Sequence, residues 1–318
     1  MADPQAADPQ AASLRRAAVM IDLGRYRDAA ALLAGALASA PDSGRAWCLL
    51  SRAHLGDDDP GRAITAATRA SALDPADDWP YRLVSTALIS LGQYDDAVTA
   101  AVQARRLAPH FWRSHVCLAQ AAAAAGQHEL AVQAANRALA IAPGEADVHV
   151  TAGKAALSRG DLAEARRRQE AALAIEPANS SAINELGRIS LRANDAASAA
   201  GHFIRAARSD PGAGIFGRNT ELALTRLGLR LAITILLALA ALTMAVLLAL
   251  QGDGPAAAVF GLFLVFFAAR AAVAVLRLPP AARRHLLRAM RNRRGQLAGD
   301  LVAALGGPWP RTQLRKPG

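Results

Sequence analysis

Residues 92–109 read GQYDDAVTAAVQARRLAP, and residues 24–41 read GRYRDAAALLAGALASAP. Both place Gly-x-Tyr ahead of one alanine (Ala97, Ala29), a second alanine (Ala104, Ala36) and a closing proline (Pro109, Pro41). Working outward, the proline recurs at Pro75, Pro143, Pro177 and Pro211, so six prolines stand 34 residues apart. The first alanine recurs at Ala63, Ala131, Ala165 and Ala199, and the second at Ala70, Ala138, Ala172 and Ala206. A third position, 24 residues before each proline, holds small residues only: Ala17, Ser51, Ser85, Ala119, Gly153 and Gly187. Alanine is abundant throughout, so the alanine register weighs little alone. The chain has only 16 prolines, and their register carries the argument. A fixed period of this length marks a stacked repeat, in which each unit supplies part of a shared core.

The residue types say what each unit is. Alanine is the best helix former, and aromatics make up only 4% of the chain, against a strand-rich fold. Gly24, Gly92, Gly126 and Gly160, with Asp58 and Asn194 at the same place in the second and sixth units, suit the left-handed turn that ends a helix. The proline then stops the second helix of the unit. The pattern resembles the tetratricopeptide repeat over about residues 8–211, and the expected fold class is all-α. It consists of a six-unit solenoid over 1–211, a linker or capping helix over 212–230, a transmembrane hairpin over 231–276 and a basic helical tail over 277–318.

The resemblance also implies a function and a place for it. Repeats of this family bind proteins along a concave face lined by the first helix of each unit. Carried onto this chain, the lining positions are Arg45, Arg52, Trp79, Arg82, Arg113, Gln120, Lys154, Asn184, Arg188 and Arg192, with Asp147 the main acid. A mostly cationic inner face calls for an acidic or carboxylate-bearing protein partner. The Lys and Asn pattern of the chaperone-binding relatives' carboxylate clamp is not met, so a chaperone tail is not the expected ligand.

Charge divides the chain. Residues 222–318 hold 13 of the 36 cations and two of the 26 acids, a net +11, whereas residues 1–221 come to −1. The excess sits beside two apolar runs, which points to a membrane and away from nucleic acid. Residues 231–250, LAITILLALAALTMAVLLAL, carry no charge and reach about 30 Å as a helix, the thickness of a bilayer core. A second run, 256–276, is interrupted by Arg270, expected to snorkel to the interface. Gln251–Pro255 is too short to cross a membrane, so the runs form a hairpin. Arg226 and Arg230 precede it, arginines crowd beyond it, and its loop carries only Asp253. Both ends are therefore expected in the cytoplasm, in a multi-pass protein of the cell membrane. The N-terminal residues show no signal peptide. After Pro279-Pro280, Leu286, Met290, Leu297, Leu301 and Leu305 share a helical face beside Arg283, Arg284, Arg288, Arg291, Arg293 and Arg294. Such a helix is expected either to lie on anionic lipid or only to set topology.

Nothing else reads as chemistry. Gly212-Ala-Gly214-Ile-Phe-Gly217 follows a closing proline, not a strand, so a joint between scaffold and membrane is expected there. His110, His115 and Cys117 lack a fourth ligand, and His115 shares its repeat position with Trp47, Tyr81 and His149. Asp57-Asp58-Asp59 lacks the remaining ligands of a calcium loop, and Cys48 lies two repeats from Cys117. No catalytic, cofactor or metal site is expected. The expected function is a membrane-anchored protein-interaction scaffold; the alternative is a cell-envelope assembly or secretion component with outward-facing repeats.

Overall fold

The computed structural model describes residues 9–210 and 214–276, which form fourteen helices and no strand. Six pairs follow the repeat: α1 (Pro9–Asp22) and α2 (Tyr26–Ser39), α3 (Gly44–Gly56) and α4 (Pro60–Leu73), α5 (Trp79–Ser90) and α6 (Tyr94–Leu107), α7 (Trp112–Ala124) and α8 (His128–Ile141), α9 (Ala146–Arg159) and α10 (Leu162–Ile175), α11 (Ser180–Arg192) and α12 (Ala196–Ser209). Two longer helices follow, α13 (Gly214–Leu250) and α14 (Gly254–Leu276).

The punctuation of each pair has a visible physical cause. All six residues of the turn position adopt positive φ: Gly24, Gly92, Gly126, Gly160, Asp58 at 61° and Asn194 at 65°. The two side-chain-bearing members are the types that tolerate this conformation best. At the other end, each closing proline from Pro41 to Pro177 follows an extended residue that ends an even-numbered helix, as Ala108 does at φ −128°. Helix starts are capped where the sequence allows it. Ser43, Asp59, Asp161 and Asn179 accept the N–H of Ala46, Arg62, Glu164 and Ala182 at 3.4, 3.0, 2.9 and 2.9 Å.

The chain divides into two compact units, Met1–Ala193 with Ala206–Ala213, and Asn194–Arg205 with Gly214–Gly318. In the first, α1 to α10 each pack on the next helix, and the odd-numbered helices also pack on one another. Small side chains make this stacking possible. Ala29, Ala63, Ala97, Ala131 and Ala165 are wholly buried. Across from them, the hydroxyls of Ser51 and Ser85 donate to the carbonyl oxygens of Ala63 and Ala97, both at 2.8 Å. A hydroxyl spanning two helix backbones shows how closely they approach. The fifth unit solves the crossing differently. Gln169 is fully buried at a position held in other units by Leu33, Ala67, Ala101 and Ala135, and its amide donates to the Val150 carbonyl at 3.1 Å. Its Oε1 has no hydrogen-bond partner among the described residues. A Cβ on Gly153 would lie 2.2 Å from the Gln169 amide nitrogen, so the glycine makes room for the glutamine.

The sequence position shared by Trp47, His115 and His149 also has a structural role. Trp47 donates its indole N–H to the Pro41 carbonyl at 2.8 Å, and the Nε2 atoms of His115 and His149 sit 2.8 and 2.9 Å from the carbonyls of Pro109 and Pro143. These rings tie the first turn of α3, α7 and α9 to the proline that closes the preceding unit. Cys48 and Cys117 are both buried free thiols. Burial pushes them up to about 12 and about 11.

In the second unit, α13 packs on α14 through a turn at Gly252, where Asp253 accepts the N–H of Ala256 at 3.1 Å. The first apolar run is the second half of one 37-residue helix. The capping segment and the span are therefore continuous, and Gly214 and Gly217 of the expected joint are helical; Pro211–Ala213 lie outside the described residues. Ile215–Leu250 and Pro255–Val273 are long and apolar enough to cross a membrane, and almost none of their most apolar stretch is buried. Leu236, Leu250, Leu262 and Val265 are each more than 60% exposed. The tail expected over residues 277–318 lies outside the described residues.

Two outcomes follow from this packing. Gly153→Ala should lower stability by about 1–3 kcal/mol through overpacking. Combined with Gln169→Ala it should cost little more than Gln169→Ala alone, because the fourth unit already holds Ala119 and Ala135 at these places. Denaturant unfolding followed by helical circular dichroism measures the cycle; additive costs would place Gly153 away from Gln169. Separately, at pH 8 a disulfide reagent should label the folded chain on the order of a hundredfold more slowly than free cysteine, and both thiols at once in urea.

Candidate functional site

Because odd-numbered helices stack on one another, residues three or four apart on α5, α7, α9 and α11 line up along one face. Two adjoining clefts run along it. The first, about 280 Å³, is lined by Arg82 and Thr86 from α5, Trp112, Arg113 and Gln120 from α7, and Asp147, Thr151 and Lys154 from α9. The second, about 370 Å³, shares Gln120, Thr151 and Lys154 and continues to His128, Arg188 and Arg192.

Of the positions expected to face a partner, the clefts gather Arg82, Arg113, Gln120, Lys154, Arg188 and Arg192, together with Asp147. The other four lie elsewhere. Arg45 is exposed at the start of α3, and Arg52 forms an ion pair with Asp22. Trp79 is half-buried against the core of the first units, and Asn184 is buried. The expected membrane-surface residues Arg283, Arg284, Arg288, Arg291, Arg293 and Arg294 lie outside the described residues.

The cations of the clefts differ in what they already hold. Arg82 Nε donates to Asp78 Oδ2 at 2.6 Å, and the same oxygen accepts the Ser114 hydroxyl at 2.7 Å. With both charged side chains under 20% exposed, this triad clips α5 to α7. Glu185, its side chain 4% exposed, takes Arg188 at 2.9 Å and stands 3.9 Å from the Lys154 ammonium, which joins α9 to α11. Arg192 donates to the Leu157 carbonyl at 2.7 Å. Arg113 differs: its guanidinium lies 4.2 Å from the Trp112 ring centroid and 5.9 Å from that of Phe111, and it has no ion pair among the described residues. The rings hold the guanidinium in place without neutralising it.

Sequence reasoning named the cations and missed Asp78 and Glu185, which hold three of them, and Trp112, which orients a fourth. Their signal was present: Asp78 and Arg82 are four apart and Glu185 and Arg188 three apart, the spacing of neighbours on a helix surface. Among the described residues, no three His, Cys, Asp or Glu side chains come together as a metal site.

Two family models, both described as a tetratricopeptide repeat, match the chain, one over residues 85–146 and 150–214 and the other over 20–85. Among solved structures, a thermophilic TPR protein of Thermus thermophilus is 22% identical, with a TM-score of 0.53 over 58% of this chain and 99% of that one. A tetratricopeptide repeat protein of Parabacteroides merdae is 14% identical, with a TM-score of 0.58 over 69% of this chain and 86% of that one. Identities this low establish a shared fold alone. No curated protein matches the chain. With family matches running from residue 20 to residue 214 and a helix-pair stack in the same register, this chain belongs to the tetratricopeptide-repeat family.

Proposed function

We propose that this protein is a membrane-anchored scaffold whose repeats bind an acidic or carboxylate-bearing segment of a protein partner along the clefts of α5 to α11. Tetratricopeptide repeats generally mediate protein–protein interaction, and the fold is typically non-enzymatic. The observation that carries the finer reading is Arg113. It is exposed, held over two aromatic rings and free of any carboxylate among the described residues, in a cleft that also presents Gln120 and Lys154. Arg82 and Arg188, by contrast, are held by Asp78 and Glu185. Asp147 sets the limit on the partner's charge at that end of the cleft.

Membrane anchoring rests on α13 and α14. Exposed leucine, valine and phenylalanine over helices of this length would associate or precipitate in water, whereas a bilayer covers them. The arginines at residues 226 and 230, against the acidic turn at Asp253, support a topology with repeats and tail both in the cytoplasm. The reading with outward-facing repeats would reverse that arrangement.

Two measurements check these readings. A fluorescent glutamate octapeptide should bind the full-length protein with an affinity that falls as salt rises, and Arg113→Glu should weaken it at least about tenfold with helical content unchanged. Arg82→Glu should instead lower stability, since it sets two carboxylates against each other with Asp78; equal binding by the Arg113 variant would move the partner off this face. Protease added to intact cells should leave residues 9–210 uncut, and their digestion would place the repeats outside.

A further inference from the structure

Of two basic side chains on the apolar helix pair, Arg270 has no part in the reading above and Arg230 serves there only to set topology. Arg230 stands at the start of the uncharged run of α13, and Arg270 lies within α14, six residues from its end. As the helices double back at Gly252, the residues near 234 on one come level with those near 270 on the other. Both arginines line one cleft of about 590 Å³, together with Thr234, Leu237 and Phe267. The start of α12 forms its remaining wall with Asn194 and Asp195.

The charges in this cleft do not balance. Arg230 gives one N–H to the Asn194 carbonyl, which leaves most of its five donors available. Arg270 is exposed and makes no hydrogen bond or ion pair among the described residues. Among the described residues that line the cleft one is an acid, Asp195, whose oxygens cap α12 by accepting the Ser198 N–H at 3.0 Å and hydroxyl at 2.6 Å, so two arginines face one carboxylate. Snorkelling explains a lone arginine near a helix end, but it does not explain two sharing a cleft with an apolar floor. The ligand that fits has several anionic oxygens in one group, for two guanidinium forks, and a long apolar body for Leu237 and Phe267.

We propose that this cleft binds an anionic phospholipid, with its phosphodiester between Arg230 and Arg270 and an acyl chain along Leu237 and Phe267. The inference rests on the membrane-spanning reading of α13 and α14. The apolar lining runs into the exposed faces of both helices, where lipid is the surrounding solvent, and this favours lipid over a carboxylate on a neighbouring protein helix. The lining residues among those described all precede residue 276 in the sequence, which lets the arginine-rich segment beyond it serve as a control.

The test uses the full chain in nonionic detergent, with phosphatidylglycerol and phosphatidylcholine titrated at matched concentrations and bound lipid counted by native mass spectrometry. The wild type should prefer phosphatidylglycerol, and Arg230→Gln with Arg270→Gln should reduce that preference about tenfold or more, as loss of two surface cations implies. Arg230→Lys with Arg270→Lys should keep most of it, as should neutralising Arg283, Arg284 and Arg288. Equal lipid binding by the glutamine pair, or loss only on neutralising the tail, overturns the site. So does equal loss in the lysine and glutamine pairs, which would mark a disturbed helix pair. A glutamine pair that keeps its lipid but loses a co-purifying protein assigns the cleft to a partner helix. Release of the wild type from membranes by alkaline carbonate overturns the spanning reading itself; carbonate resistance without headgroup preference overturns the cleft alone.

Discussion

Close approach of helix backbones is the constraint on which the repeat unit depends. Two helices can cross this tightly only where neither carries a large side chain at the contact. The wholly buried alanines from Ala29 to Ala165, set against Ala17, Ser51, Ser85, Ala119 and Gly153, meet that condition unit after unit. Each such contact buries little apolar area, so no pair is stable alone. Stacking on both sides supplies the missing burial, and long side chains such as Leu33, Leu49, Leu118 and Ile183 fill the space between layers.

The same constraint produces the site. Once the odd-numbered helices are stacked, their exposed faces lie side by side, and charges on successive helices come within reach of each other. Some of that proximity is used internally: Asp78 holds Arg82 and Ser114, and Glu185 holds Arg188 near Lys154. An exposed pair of this sort contributes little stability, but Glu185 is almost wholly covered, and removing Arg188 would leave a buried carboxylate short of its closest partner. A groove rich in arginine is therefore less cationic to a visitor than its sequence implies. What remains available among the described residues is Arg113, held by aromatic rings in place of acids, and Arg192, whose hydrogen bond to the Leu157 carbonyl leaves its charge uncompensated.

The fifth unit shows how one departure is absorbed. Gln169 occupies a place where its counterparts in other units are apolar, and burying an amide costs free energy unless its hydrogen bonds are met. The Val150 carbonyl meets one, Oε1 stays unmatched, and the glycine opposite supplies the room. The substitution and its compensation sit 16 residues apart, on facing helices of one unit.

The sequence by itself determined the repeat, its register and its turns. Period, proline and glycine act locally: a proline ends a helix whatever surrounds it, and only glycine, aspartate or asparagine sits easily at the φ found at Gly24, Asp58 and Asn194. Apolar length marked α13 and α14 for the same reason, since hydropathy is a property of the segment itself. Tertiary structure alone decided which charges meet across units. Asp78 reaches Ser114 across 36 residues, Lys154 reaches Glu185 across 31, and Arg230 shares a cleft with Arg270 only because a helix pair folds back on itself. Charge pairing is set by distance in space, and a repeat fold brings together residues one period apart that no local pattern connects.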